Sequence, residues 1–375
     1  MRFYLDTFMF PAAAGELSAG LRMAGASASR YQGLLEELRT TAVIADEGGF
    51  EGLCFSEQHS NIEGVSEVST NPILLDMFVA SHTSRLKVGQ LGLVLTANHP
   101  FRIAEDIALL DQMTNGRVFC GFVRGNSKRW VNMFSQHYGT EATHSDKGEA
   151  DQRNLRAVQE AWTIIKKAWT QETVSHEGEF WTVPASNTRW DFVPTKLLGL
   201  GVSEDGMLQA IGCVPRPIQQ PFPRVFAPLA FRMTTSKFWV GEGGTAVCFA
   251  SSDEFLQTAH RVLSEVADAS SEPRRGKVLA PGAFLMLGET REEAEKIRAD
   301  YEWLFKFAYS VDPFNVPMGR VFFGTADDVS RQIEALAGVI DFDELFLWHN
   351  IGLHEEGLSD RAIEIFSEKI IPRFS

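Results

Sequence analysis

The chain has 375 residues, with 35 Lys and Arg against 49 Asp and Glu, a formal net charge of −14. With 44% hydrophobic and 22% charged residues it is an ordinary globular sequence, which excludes disordered, collagen-like and disulfide-scaffold proteins. The negative charge argues against a nucleic-acid or anionic-membrane partner.

The first ten residues, MRFYLDTFMF, form a short apolar run interrupted by Asp6. This is neither a signal peptide nor a membrane span and reads as a first buried strand. Apolar runs follow at 52–55, 87–95, 117–123, 224–230, 245–249, 278–287 and 344–348. Most are apolar throughout, as strands of a parallel sheet buried on both faces are. Helical patterns lie between them: Leu34, Leu38, Ala42 and Ala45 share one face, as do Ala294, Ile297, Tyr301, Leu304 and Ala308. Ser251 with Glu254, and Thr290 with Glu293, have capping-box spacing. Eight strands alternating with helices predict a (β/α)8 TIM barrel in a single domain over 1–375. A doubly wound dinucleotide fold is disfavoured because PAAAGELSAG after the first strand lacks the GxGxxG spacing.

Three stretches exceed a minimal barrel: 125–147, 185–214 and 310–323. All are expected at the C-terminal ends of the strands, where active sites form. The hairpin signal TVSHEGEFWTV, turning at Glu177-Gly178, precedes the second of them. The aromatic groups Trp130/Phe134, Trp190/Phe192 and Phe314/Phe322/Phe323 are candidate walls of an apolar pocket or ordinary loop packing. Cys54, Cys120, Cys213 and Cys248 form no CxxC pair and read as buried thiols of a reduced, cytoplasmic protein. The histidines show no metal-ligand spacing. Arg102, Glu105 and Asp106 read as structural ion pairs.

The most informative block runs from Asn71-Pro72 to Gly125. It carries Val88-Gly89, His99-Pro100, Arg102, Glu105-Asp106, Leu109 to Met113, Gly116-Arg117 and Val123-Arg124-Gly125. Upstream stands Glu57-Gln58-His59; downstream come PRPIQQPFPRVF and Gly324-Thr325. This ordered set resembles the bacterial luciferase family of flavin-dependent monooxygenases, and in particular its alkanal-oxidising chains.

The resemblance implies a TIM barrel that takes reduced FMN from a separate flavin reductase. With molecular oxygen it would oxygenate a small hydrophobic organic substrate through a flavin C4a-peroxide. Arg124, ending the fourth strand, would present its planar fork to the flavin phosphate. Thr234, Thr235 and Ser236 would open a helix as an anion-binding turn. Removing Arg124 is expected to weaken flavin binding and to leave the unliganded protein's stability unchanged. Leu91–Gly92 would be a cis peptide beneath the flavin ring. Gln58 stands where the family has the first His of a pair; His59 matches the second, as proton donor, flavin partner or structural residue. His99 is a similar case. Val123 stands at a reactive-cysteine position, and Phe231-Arg232 depart from the family's Glu-Ser. The 185–214 stretch would be a mobile lid, and the helices at 71–84 and 101–113 would form a homodimer interface.

Other branches of the same superfamily remain open, namely Baeyer–Villiger oxygenation of a cyclic ketone, whose enzymes HEGEFW resembles, or deazaflavin-dependent chemistry. A non-catalytic partner chain is a further alternative, against which Arg124 and the Thr235-Ser236 turn speak.

Overall fold

The computed structural model describes residues 1–61, 67–143, 147–229, 233–312 and 314–374; Ala230, Phe231 and Arg232 lie outside the described residues. The chain divides into two compact units. The first comprises Met1–Leu93, Phe119–Phe122 and Arg224–Ser375; the second comprises Val94–Val118 and Val123–Pro223.

The first unit holds a closed parallel barrel. Its strands are β1 (Arg2–Met9), β2 (Gly52–Phe55), β3 (Lys87–Gln90), β4 (Val118–Val123), β5 (Arg224–Pro228), β6 (Thr245–Cys248), β7 (Leu279–Leu287) and β8 (Glu344–Ile351). Neighbours follow chain order from β1 to β7, and β8 closes the ring between β7 and β1. Phe346 lies opposite Tyr4 on one side and Gly282 on the other. All eight strands agree with the predicted runs to within a few residues. Both faces of each strand are covered, which explains why the runs are apolar without alternation.

One side chain from each strand fills the lower interior: Tyr4, Cys54, Phe119, Phe226, Val247, Ala280 and Phe346, with Leu91 just past β3. The rings interlock. Tyr4 stacks on Phe346 at 4.7 Å, and Phe119 meets Phe226 edge to face at 5.4 Å. Glu344, almost fully buried, accepts from the Tyr4 hydroxyl at 3.0 Å and pairs with Arg224.

The helix Ala28–Gly48 buries Leu34, Leu38, Ala42 and Ala45, the face read from the sequence. Helix Arg291–Leu304 starts as expected at Thr290, whose hydroxyl accepts from Glu293 N at 3.3 Å. The cap of helix Asp253–Ala269 is Ser252 rather than Ser251, because a hydroxyl reaching the N–H of Phe255 must stand one residue before Asp253. The 310–323 stretch leads into an unpredicted short strand, Val321–Gly324, which pairs with the end of β7 from Phe284 to Leu287. Its apolar run is too brief to separate from loop aromatics.

The second unit is built on helices Pro100–Met113, Lys128–Ser135 and Glu149–Thr170. Trp169 donates its indole N–H to the Ala104 carbonyl at 2.9 Å. The predicted hairpin forms between His176–Glu177 and Thr182–Val183. Glu160 accepts from the backbone N–H of Glu179 and Trp181, each at 2.9 Å, at its turn. Beyond it, 185–214 carries the short helix Val193–Leu198, with Leu197 and Leu198 strongly exposed. Cys54, Cys120, Cys213 and Cys248 are free and buried. Among the described residues no helix is long and apolar enough to cross a membrane.

Candidate active site

The C-terminal ends of the barrel strands carry the chemistry of the first unit. After β2 the chain places Glu57 in a buried position and His59 half-buried; His59 Nε2 lies 2.9 Å from Glu57 Oε1. The carboxylate fixes the orientation of the imidazole. Gln58 is held by its backbone, whose N–H donates to the Ser69 carbonyl at 3.1 Å.

After β3, the Leu91–Gly92 peptide is cis, as the resemblance implies. Position 92 requires glycine because a Cβ there would lie 2.4 Å from the Gly121 carbonyl oxygen. The end of β3 is also gripped from outside: Asp76, on helix Pro72–His82, accepts from the Gln90 amide, and burial holds its carboxyl well above the usual range.

After β5, helix Met233–Gly241 begins with Thr234 exposed, Thr235 half-buried and Ser236 buried. Among the described residues, Ser236 Oγ has no hydrogen-bond partner. A buried hydroxyl in the first turn of a nine-residue helix stands beside N–H groups that a helix leaves unpaired, an arrangement with the donors an anion needs. A flavin phosphate has the chemistry to satisfy it.

Arg124 belongs to the second unit. Its side chain is buried there, with Nη2 2.6 Å from Asp151 Oδ1 and Nη1 donating to the Asp151 carbonyl at 3.2 Å. Burial pushes the Asp151 carboxyl up. The Thr143 hydroxyl, the Arg124 charge and the Lys147 N–H outweigh that and hold it below its ordinary value. Removing Arg124 would leave Asp151 with the Thr143 hydroxyl and the Lys147 N–H but without its charge partner, so a cost in stability is expected where the sequence reading expected none. Also in this unit, Arg102 Nε pairs with Asp106 at 3.1 Å, the structural ion pair expected. His99 precedes helix Pro100–Met113, and burial lowers its pKa.

Above the lower ring layer of the barrel lies Asp6, fully enclosed, with Cys54 Sγ 3.6 Å from Oδ1. Burial raises its carboxyl to about 8. Glu67 is likewise raised by burial, and it accepts from the Ser56 hydroxyl and from Tyr309 at 3.4 Å. In strand register with Asp6 stand Trp348 and, beside it, Phe284; an apolar cleft of about 380 Å³ opens among these two rings, Phe249, Phe255 and Phe305. None of the three aromatic groups proposed from sequence lines it. Trp130 and Phe322 are buried elsewhere, and Trp190 and Phe192 are exposed.

The family model for luciferase-like monooxygenases matches residues 20–335. The chain belongs to the luciferase-like monooxygenase family. Among curated relatives, the alkanal monooxygenase beta chain of Photorhabdus luminescens is 29% identical over 139 residues, 37% of this chain and 38% of that one. The oxygenase component of the flavin-dependent trigonelline monooxygenase of Acinetobacter baylyi is 26% identical over 194 residues, 52% of this chain and 42% of that one. The alignments thus span about two-fifths of these relatives' length. Among solved structures, a Streptomyces bottropensis monooxygenase superposes with a TM-score of 0.74 at 19% identity, covering 100% of both chains. The FMN complex of the oxygenating constituent of 3,6-diketocamphane monooxygenase from Pseudomonas putida, a type II Baeyer–Villiger enzyme, gives 0.65 at 19% identity, over 92% of this chain and 94% of that one.

Of the residues singled out from sequence, Glu57–His59, Leu91–Gly92 and Thr234–Ser236 follow strands of the first unit, and Arg124 belongs to the second. Sequence reasoning missed the Asp76–Gln90 contact, the Glu67–Tyr309 pair and the cleft. A signal for the interior carboxyl existed: Tyr4, Asp6 and Phe8 alternate along β1, so an inward Tyr4 makes Asp6 inward as well.

Proposed function

We propose that the protein is the oxygenase of a two-component system in the cytoplasm, which oxygenates a hydrophobic organic substrate with reduced FMN and molecular oxygen. The unpartnered, buried Ser236 hydroxyl at the start of helix Met233–Gly241 carries this reading. When bound, reduced flavin supplies the two electrons that let one oxygen atom enter the substrate and the other leave as water. Ser236 and Thr235, with the exposed Thr234, would bind the phosphate; Leu91 and Gly92 would seat the ring system. Arg124's part in phosphate binding rests on the family resemblance, with Asp151 orienting its guanidinium. His59, oriented by Glu57, would hold a proton at its imidazole, and Gln58 would donate a hydrogen bond beside it. The apolar cleft would exclude water from the substrate. A separate flavin reductase fits the relative named as an oxygenase component. Ketone oxygenation of the Baeyer–Villiger type is the second reading, favoured by the similarity to a structure of that class.

Titration with reduced FMN, oxidised FMN and a deazaflavin tests the proposal. Reduced FMN should bind most tightly, and Ser236→Ala should weaken it by about 1.5–3 kcal/mol, the scale of a hydrogen bond to a charged group. Preference for the deazaflavin would replace this reading with hydride transfer. Arg124→Lys should weaken FMN binding, whereas Arg124→Ala should in addition lower unliganded stability by about 3–5 kcal/mol. Steady NADPH oxidation by the purified protein alone would overturn the two-component scheme. We further propose one luciferase-like domain over 1–375, seen as a single calorimetric transition. A homodimer is proposed to use helices Pro72–His82 and Pro100–Met113, where Leu74 and Leu109 are exposed, and Leu74→Glu should shift the sedimenting mass to a monomer. The 185–214 stretch is proposed as a lid whose deletion releases peroxide in place of oxygenated product.

A further inference from the structure

We infer that the cleft above the barrel interior is the substrate subsite and that it selects planar, fused-ring aromatic compounds over linear aliphatic ones. The inference rests on the oxygenase reading and deepens it to a substrate class.

The lining is the first argument. Five of the cleft's side chains are aromatic, and its aliphatic contribution comes from Leu229, Ala250, Val316, Pro317 and Met318. A lining of Met and Leu would adapt to a flexible chain; aromatic rings present fixed faces and edges. Rigidity is the second. Trp348 lies against Phe8 at 3.7 Å with the rings 5° from parallel, and stacks with Phe284 at 4.4 Å. Its indole N–H donates to Asn350 Oδ1 at 2.9 Å. Phe249 stands nearly perpendicular to Trp348, at 87° and 5.9 Å. Phe284 and Phe305 are almost fully buried and brace each other edge to face at 5.1 Å. The slot is therefore formed before any ligand arrives.

A rigid slot favours a rigid guest. A linear alkyl chain must freeze its rotors to lie in it, whereas a fused-ring compound has none to freeze and can stack or meet the rings edge-on. The volume, about 380 Å³, lies at the small end of the range for small-molecule sites. That size suits two or three fused rings. The rim offers the exposed hydroxyls of Ser251 and Ser252. The Ser252 hydroxyl accepts from Phe255 N, which leaves Ser251 as the better partner for a phenol or quinone oxygen.

The test is binding of 2-naphthol and of decanal to the flavin-free protein, followed by calorimetry and tryptophan fluorescence. 2-Naphthol should bind at least tenfold more tightly than decanal. Ala250→Trp, which fills the cleft, should weaken 2-naphthol at least tenfold, and Ser251→Ala should weaken it severalfold. Should Ala250→Trp fail to fold, Phe255→Ala provides the same comparison with an enlarged cleft and a smaller preference for the arene. Equal or tighter binding of decanal, or arene binding indifferent to these substitutions, overturns the proposal. FMN titration of the unsubstituted protein reads the oxygenase proposal separately: loss of the arene preference with FMN binding intact removes only the substrate class, and an arene preference without FMN binding removes only the oxygenase reading.

Discussion

The barrel interior has two aromatic layers that differ in what they leave open. In the lower one, Tyr4 stacks on Phe346 and the contacts with Phe119 and Phe226 are edge to face, and the Arg224–Glu344 pair seals the strand starts beneath them. In the upper one, Phe249, Phe284, Phe305 and Trp348 are also in mutual contact, yet a cleft of about 380 Å³ remains beside them. Residue type is the same in both. Ring closure separates them: the lower rings project toward one another across a small barrel, whereas the upper ones stand where the strands end and loops take over. The lower layer is built for stability and the upper for binding.

The largest expected effect tests the closed layer. Phe226→Ala should cost about 3–5 kcal/mol in denaturant unfolding, because the surrounding strands restrict collapse around the cavity. A loss below 1 kcal/mol would mean that the layer is not closed in solution. Gly282→Ala sharpens the contrast from the other side. A Cβ at position 282 would lie 2.7 Å from the Phe249 ring, so the ring must shift toward the cleft. Destabilisation of about 1–3 kcal/mol is expected, the range for overpacking, together with weaker arene binding. Unchanged arene binding would show that Phe249 does not set the cleft's width.

The smallest effect is a pH dependence set by Asp6, in strand register with Trp348. Its folded carboxyl titrates near 8, and an unfolded one near its ordinary value of about 4. Across that interval the folded state keeps a proton that the unfolded state has lost, so stability falls as pH rises. His349 acts oppositely. Burial lowers its pKa to about 3, so between there and about 6.5 the unfolded state takes up the proton and acid destabilises. The two slopes oppose each other in mild acid, and above about pH 6.5 only the carboxylate slope remains. Comparing thermal midpoints at pH 6.5 and 8, Asp6→Asn should lose less stability than the parent. Glu67 and Asp76, also raised by burial, keep part of the slope. An identical drop in both proteins would place Asp6 in contact with solvent.

The sequence by itself determined the barrel and most of the candidate positions. Eight apolar runs at helix-separated spacing leave few alternatives, because a parallel strand buried on both faces must be apolar throughout. The motifs around Glu57, Leu91, Arg124 and Ser236 are local, and the ends of strands lie where the runs stop. Only the tertiary structure decided which groups meet. Asp6 and Cys54 are 48 positions apart, and Glu67 and Tyr309 are 242 apart. The cleft draws its rings from β7, β8 and the segments after β6 and β7, so no single stretch announces it. Arg124 shows the same limit: its place after the fourth strand was legible, but its burial against Asp151 depends on a helix 25 residues downstream. Patterns of period two and 3.6 report which face of an element is covered, and they carry no information on which distant residue covers it.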